Sequence, residues 1–287
     1  MEHGLADRIC VITGATDGIG WMSALGIART GARVVIVGRN APKTEERARR
    51  LARETGNEAV EHEVADLSVQ AEVHSLAERL NRTLPRIDVL VNNVGALFVR
   101  RTLSSDGVEM TWALNHLSPF LLTGLVLDRV RASDQGRIVT VSSAAHRGPQ
   151  VDFGDPQLAG GYRGWRAYQQ SKLANLLFTR ELARRLEETP VTVNCLHPGF
   201  VNSRFGNNNA GIKRVLLTVA KTLFAISEEK GADTVIYLAT DPDVAGVSGE
   251  YFVKRQPADT SSQSQDPAAQ RTLWDISETM TGLSYPA

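Results

Sequence analysis

The chain has 287 residues, 42% hydrophobic and 22% charged, with Lys plus Arg equal to Asp plus Glu at 32 each. That length supplies an ample core, and the charge balance removes any global pull toward nucleic acid or an anionic surface. No window holds eighteen consecutive apolar residues, Met1 to Arg8 reads as neither signal nor transit peptide, and Cys10 and Cys195 read as buried free thiols, so a cytoplasmic protein without a transmembrane anchor is expected.

Arg8 to Thr13 is an apolar run without polar alternation, as in a buried parallel strand. Thr13-Gly14-Ala15-Thr16-Asp17-Gly18-Ile19-Gly20 follows, and then a helix to about Arg29. Gly14 permits a tight turn, Gly18 lets backbone approach a pyrophosphate, and Gly20 allows close helix–strand packing, with phosphates at the helix N-terminus. Ala32 to Val37 is a second strand, ending in Gly38-Arg39-Asn40. An acid here would hold a ribose 2′-hydroxyl; Arg39 instead suits a 2′-phosphate, or is a solvated strand-end residue. Asp17 argues against the phosphate, since a carboxylate in the glycine loop repels it.

Pro42 to Thr55 reads as a charged surface helix, Glu58 to Val64 as a third strand, and Ser68 to Asn81 as a helix. Asp66 before it either caps that helix or holds an adenine amino group. Ile87 to Val91 is a fourth strand, and its end, Asn92-Asn93-Val94-Gly95, is where ligands bind in open α/β sheets. The strand–helix alternation predicts an α/β, single-domain, Rossmann-type doubly wound parallel sheet with helices on both faces.

Val108 to Val130 reads as one long helix kinked at Pro119. Asn115 stands at the carbonyl whose usual hydrogen bond Pro119 cannot make; alternatively it is a buried structural amide. Gly136 to Ser142 is a fifth strand with Ser142 and Ser143 at its end, and no G-x-S-x-G elbow is present. A long loop with Phe153, Tyr162 and Trp165 leads to a helix from Trp165 to Glu188. On it, Tyr168 and Lys172 are four apart and share a face. An ammonium there favours the phenolate and lowers the Tyr168 pKa, so the pair can do acid–base work on an alcohol or carbonyl. Val191 to Leu196 is a sixth strand ending in His197-Pro198-Gly199; His197 is either a base or a satisfied strand-end histidine.

The ordered set of Thr13-Gly14 through Gly18-Ile19-Gly20, Asn92 to Gly95, Asn115, Ser143, Tyr168 with Lys172, and Pro198-Gly199 resembles the short-chain dehydrogenase/reductase family, over about residues 6 to 255. Asn115-His116-Leu117, Val141 to His146, Ser171-Lys172-Leu173-Ala174-Asn175 and Val247 to Phe252 are similar to its retinol dehydrogenase-like branch. The resemblance implies Tyr168 as general acid/base, with Lys172 lowering its pKa and holding the nicotinamide ribose. It implies that Ser143 orients the substrate oxygen and that Asn115 holds a water linking Lys172 to solvent. For the cofactor it implies Gly14, Thr16, Asp17, Gly18, Ile19 and Gly20 at the pyrophosphate side, and Asp66 and Leu67 at adenine. Asn93, Val94 and Gly95 would line the dinucleotide, Pro198, Gly199, Val201 and Ser203 would cover the nicotinamide, and Arg39 would meet a 2′-phosphate. Val94 replaces the usual Ala and Ser203 a common Thr.

Residues 1–255 are expected to form the catalytic domain, with a substrate lid at about 204–226, and 256–287 a C-terminal tail. The segment 206–226 is alternatively a packed helix or a membrane-touching one. Residues 255–270 read as polar and flexible, with Leu273, Trp274 and Ile276 docking the tail on the protein or on another subunit. The expected function is NADP-preferring oxidoreduction, with NAD open as a cofactor, of an apolar alcohol or carbonyl that is retinoid-, steroid- or aldehyde/ketone-like. The alternatives are a carbon–carbon double-bond reductase, as in the similar light-dependent protochlorophyllide reductases, or a non-catalytic NADP sensor. No nucleic-acid partner is expected. The resemblance implies a homodimer or tetramer through the helices that hold Asn115 and Tyr168.

Overall fold

Short apolar runs become parallel strands where helices cover both of their faces. The computed structural model describes residues 5–199 and 227–285. Strands β1 (Ile9–Thr13), β2 (Arg33–Gly38), β3 (Val60–Val64), β4 (Val89–Asn92), β5 (Arg137–Val141), β6 (Thr192–His197), β7 (Tyr251–Val253) and β8 (Gln256–Pro257) form one sheet ordered β3-β2-β1-β4-β5-β6-β7-β8. All pair in parallel except β8, which runs antiparallel to β7. The α/β, doubly wound reading holds, with one antiparallel edge strand added.

Alternate residues of each strand enter opposite cores. Ile9 and Val11 pack with α3 (Gln70–Thr83), α5 (Ser118–Leu125), α6 (Leu127–Arg131) and α7 (Gly164–Arg185). Cys10 and Ile12 pack with α1 (Gly18–Ala28), α2 (Ala41–Thr55) and α8 (Glu228–Thr240). Both cysteines are buried and free. Local signals set the helix ends: Asn40 Oδ1 accepts from the Lys43 N–H at 3.0 Å to start α2, and Ser227 Oγ accepts from the Lys230 N–H at 3.3 Å to start α8. Among the described residues no helix is long and apolar enough to cross a membrane.

The helix expected over 108–130 is not continuous. It starts as α4 (Met110–Trp112), widens into a π turn at Ala113–Leu117, resumes as α5, and breaks again before α6. The π turn closes through the Ser118 N–H on the Ala113 carbonyl. Pro119 is the cause: it has no N–H for the Asn115 carbonyl, so the chain inserts one residue per turn just before it.

The polar stretch after Val253 also differs from its expected irregular form. It carries β8, a 3-10 turn at Ser262–Gln265, and then α9 (Pro267–Thr281), started by Asp266 Oδ1 accepting from the Ala268 N–H at 2.8 Å. Leu273 and Trp274 are each 1% exposed, and Ile276 is half-buried. Trp274 meets Phe120 edge-on at 5.1 Å and stacks on Phe178 at 6.1 Å, and the Tyr285 hydroxyl donates to the Phe120 carbonyl at 2.6 Å. The docking residues were visible as apolar positions; the helix start was masked by the polar residues around it. Gln263 further braces the long loop before α7, its Oε1 accepting from the Val151 N–H at 2.7 Å.

Candidate active site

Strand order reverses between β1 and β4, and ligands of open α/β sheets bind at the carboxyl ends of such a pair. Thr13 and Asn92 end these two strands. Thr13 Oγ1 donates to the Val91 carbonyl at 3.2 Å and accepts from the Asn93 and Val94 N–H groups at 3.0 and 3.3 Å. The Asn93 amide donates to the Thr13 carbonyl at 2.9 Å and the Gly14 carbonyl at 3.3 Å. These bonds lock the glycine loop to the loop after β4. Gly14 has φ +65°, and a Cβ on Gly20 would stand 2.3 Å from the Gly14 carbonyl oxygen. Only glycine suits either position. Val94 fits because Gly14 lacks a side chain: a Cβ there would meet Val94 Cγ2 at 2.8 Å.

Asp17 occupies the N-cap of α1 without a side-chain capping bond. Its carboxylate is instead paired with Lys43 and, at 3.7 Å, with Arg47. The repulsion expected of Asp17 toward a phosphate is therefore compensated by two cations of α2. Arg39 is exposed and lies 3.6 Å from Asp66. Asp66 does not cap α3, which starts at Gln70; its Oδ1 accepts from the Ser68 N–H and hydroxyl at 3.0 and 2.7 Å, closing the turn before it. Leu67 beside it is buried.

Tyr168 and Lys172 occupy consecutive turns of α7, 7% and 3% exposed. The Lys172 ammonium lies 5.7 Å from the Tyr168 ring centroid and donates to the Val141 carbonyl at 2.8 Å. A Cβ on Gly95 would stand 3.2 Å from Lys172 Nζ and 3.5 Å from Asn115 Oδ1, so the ends of β4, the π turn and α7 converge here. Ser143 follows β5, and its side chain lies near enough to the Tyr168 phenol to lower that phenol's pKa.

The Tyr168 pKa runs opposite to the sequence expectation. Burial pushes the phenol up to about 12, against the lowering effect of nearby Ser143. Burial also pulls Lys172 down to about 8. The ammonium is turned onto a backbone carbonyl, so desolvation dominates both groups.

Asn115 is fully buried, and its side chain is committed: Oδ1 accepts from the Ala96 N–H at 2.8 Å, while Nδ2 donates to the Ala96 carbonyl at 2.9 Å and to Ser171 Oγ at 3.0 Å. Ser171 in turn donates to the Tyr168 carbonyl at 2.8 Å. Ser171, Thr13, Lys43 and Arg47 thus organise the site; the first two stood in the quoted motifs without an assigned role, and the other two had not been singled out. Their signals were faint: a hydroxyl next to Lys172, a hydroxyl ending a strand, and basic residues in a helix that read as solvated. Trp165 went unassigned as well; it is 56% exposed and stacks on Tyr168 at 5.5 Å and 28°. His197 is held by burial near a pKa of about 4, a neutral ring at the end of β6 next to Pro198 and Gly199. Val201, Ser203 and the segment 204–226 lie outside the described residues.

The residues fit a nicotinamide dinucleotide. The α1 N-terminus is free of a side-chain cap, the glycine loop leaves no side chain at Gly14 or Gly20, and Gly95 has no side chain to crowd Lys172. The arrangement defines a dinucleotide-type crevice with a phenol, a hydroxyl and an ammonium at its inner end. Residues 8–213 match the family of short chain dehydrogenases. The chain is 40% identical to retinol dehydrogenase 14 of Mus musculus, over 99% of this chain and 87% of that protein. It superposes on the crystal structure of an uncharacterized protein from Mycobacterium Paratuberculosis with a TM-score of 0.79 and 32% identity, covering 99% of this chain and 97% of that one. A short chain dehydrogenase from Escherichia coli CFT073, crystallised with NADPH, gives a TM-score of 0.70 at 27% identity, over 89% of this chain and 100% of the other. The chain belongs to the short-chain dehydrogenase family of oxidoreductases, in its retinol dehydrogenase-like branch.

Proposed function

We propose that this protein interconverts an apolar alcohol and its carbonyl compound with NADP(H), Tyr168 serving as the general acid/base. The observation that carries the reading is the buried Tyr168 phenol with Ser143 near enough to lower its pKa, one helical turn from Lys172 and beside the Gly95 loop. In reduction, the Tyr168 O–H donates its proton to the substrate oxygen as the carbonyl carbon gains a hydride. Ser143 donates a second hydrogen bond to the same oxygen and supports its developing charge. The bound dinucleotide supplies or accepts the hydride. With its pKa near 12, Tyr168 holds its proton at neutral pH, the form reduction needs. Lys172 holds the nicotinamide ribose, and its proximity lowers the cost of the phenolate left behind. Asn115 fixes the Gly95–Ala96 loop against α7 and leaves its backbone carbonyl, which Pro119 cannot satisfy, for the water that links Lys172 to solvent.

The NADP preference rests on Arg39, whose exposed guanidinium is free to turn onto a 2′-phosphate, with Lys43 and Arg47 offsetting Asp17. The Escherichia coli relative crystallised with NADPH supports it. The retinol dehydrogenase relatives support an apolar substrate, as does exposed Trp165 stacked on Tyr168. The test is NADPH consumption against apolar aldehydes and ketones, retinal and steroids included, for the parent and Tyr168→Phe. Turnover is expected to fall at least about a hundredfold in the variant while NADPH binding persists. Equal turnover in both proteins would remove Tyr168 as the acid.

A further inference from the structure

Ser143 is held from behind by His146. The Ser143 carbonyl accepts the His146 backbone N–H at 3.2 Å and His146 Nδ1 at 2.7 Å. A carbonyl has no proton to give, so Nδ1 carries the hydrogen and Nε2 bears a lone pair. The ring is 0% exposed, and Nε2 has no hydrogen-bond partner among the described residues. Tyr251, from β7, meets the ring edge-on at 4.7 Å and 69° and fixes its plane. A leucine would fill this space without stranding a buried nitrogen. A histidine kept here with half of its polar capacity unmet therefore has its use in the Nδ1 donor.

What that donor holds is the turn from which Ser143 reaches Tyr168. Ser143 caps the 3-10 turn Ala144–Arg147, its Oγ accepting from the Ala145 N–H at 3.2 Å with its side chain near the Tyr168 phenol. Its backbone direction decides whether its hydroxyl and the phenol address one substrate oxygen. We infer that His146 is a positioning residue for the reaction: as a neutral ring protonated at Nδ1, it clamps the Ser143 carbonyl and so aims the Ser143 hydroxyl at Tyr168. This role rests on the carbonyl reductase reading given above. Burial keeps the ring neutral against the raising effect of the Ser143 carbonyl bond, with Arg147 and Arg180 acting in the same direction as burial.

Two variants separate aiming from filling. His146→Leu keeps the volume and removes the donor; His146→Asn places an amide N–H where Nδ1 stands. His146→Leu is expected to lower kcat about tenfold to a hundredfold with the KM for NADPH unchanged, and His146→Asn to recover most of it. In the full-length parent, 15N NMR of labelled imidazoles should show one ring protonated at Nδ1 and bare at Nε2, absent from the His146→Asn spectrum. The inference falls if that ring is protonated at Nε2 or charged, if His146→Leu keeps the parent kcat, or if His146→Asn is as slow as His146→Leu. A parent that shows the Nδ1–H ring and reduces no carbonyl would overturn the functional reading, and the positioning role with it, on a readout separate from the tautomer.

Discussion

Lys172 Nζ donates to the Val141 carbonyl at 2.8 Å from a nearly sealed position, so a charge-bearing residue of α7 is tied to the end of β5. The bond ties the spacing of the strand end that leads to Ser143 to the helix that carries Tyr168. It also makes Lys172 a costly residue for the fold.

That cost has a sign and a window. Burial moves Lys172 from 10.5 to about 8, so between these values the unfolded chain binds more protons than the folded one. Stability therefore rises with pH across that window, and below it the full cost, about 3 kcal/mol, is present. Lys172→Met removes the charge and strands the Val141 carbonyl, which costs about 1 kcal/mol. The variant is expected to be about 2 kcal/mol more stable than the parent at pH 7, to lose the rise between pH 8 and 10.5, and to lose turnover. Thermal melts across pH, beside an activity assay, check this; a less stable variant would show that desolvation is not the dominant effect.

Arg39 is 73% exposed and its ion pair with Asp66, at 3.6 Å, contributes little to stability. Arg39→Ala should leave the melting temperature within about a degree and raise the Kd for NADPH at least about tenfold. The Kd for NADH should stay within about twofold, since NADH lacks the 2′-phosphate. Calorimetric titration of both nucleotides decides it. An equal loss for the two would assign Arg39 to the loop and not to phosphate.

Trp165 offers its free face beside the phenol. Flat conjugated substrates should gain about 1 kcal/mol from stacking there. Trp165→Ala is then expected to raise their KM about fivefold, with little effect on short aliphatic aldehydes. A uniform change across both substrate groups would point to disturbance of Tyr168 instead.

Trp274 lies between Phe120, Phe178 and Tyr285, with the Arg185 guanidinium 4.0 Å over its ring. Trp274→Ala should cost about 3–5 kcal/mol and lower Tm by about 5–8 °C. A scanning calorimetry trace little changed from the parent would mean that α9 contributes no core.

Much of the site was legible because its residues sit at element ends. Gly14 to Gly20 follow a strand, Asn93 to Gly95 follow another, and Tyr168 and Lys172 share a helical face by spacing alone. What escaped depends on pairs far apart in sequence or on burial. Asp17 meets Lys43 across 26 positions, and Asn115 meets Ser171 across 56. The direction of the Tyr168 pKa shift was misread because spacing reveals the neighbouring ammonium and not the loss of water around the phenol. Pro119 announced a kink, yet the π turn that accommodates it has no separate sequence signal.

The position of α9 has a further consequence. Residues 118–124 of α5 and 171–179 of α7 are buried, and α9 supplies part of that cover through Trp274 and through Ser277, whose Oγ lies 2.8 Å from His116 Nε2. These two helices were the expected meeting surface for a second subunit, and α9 lies against part of each. Cleavage before Pro267 would therefore strip the Trp274 ring from Phe120 and Phe178 and open the main core from the side of the helices that carry the site.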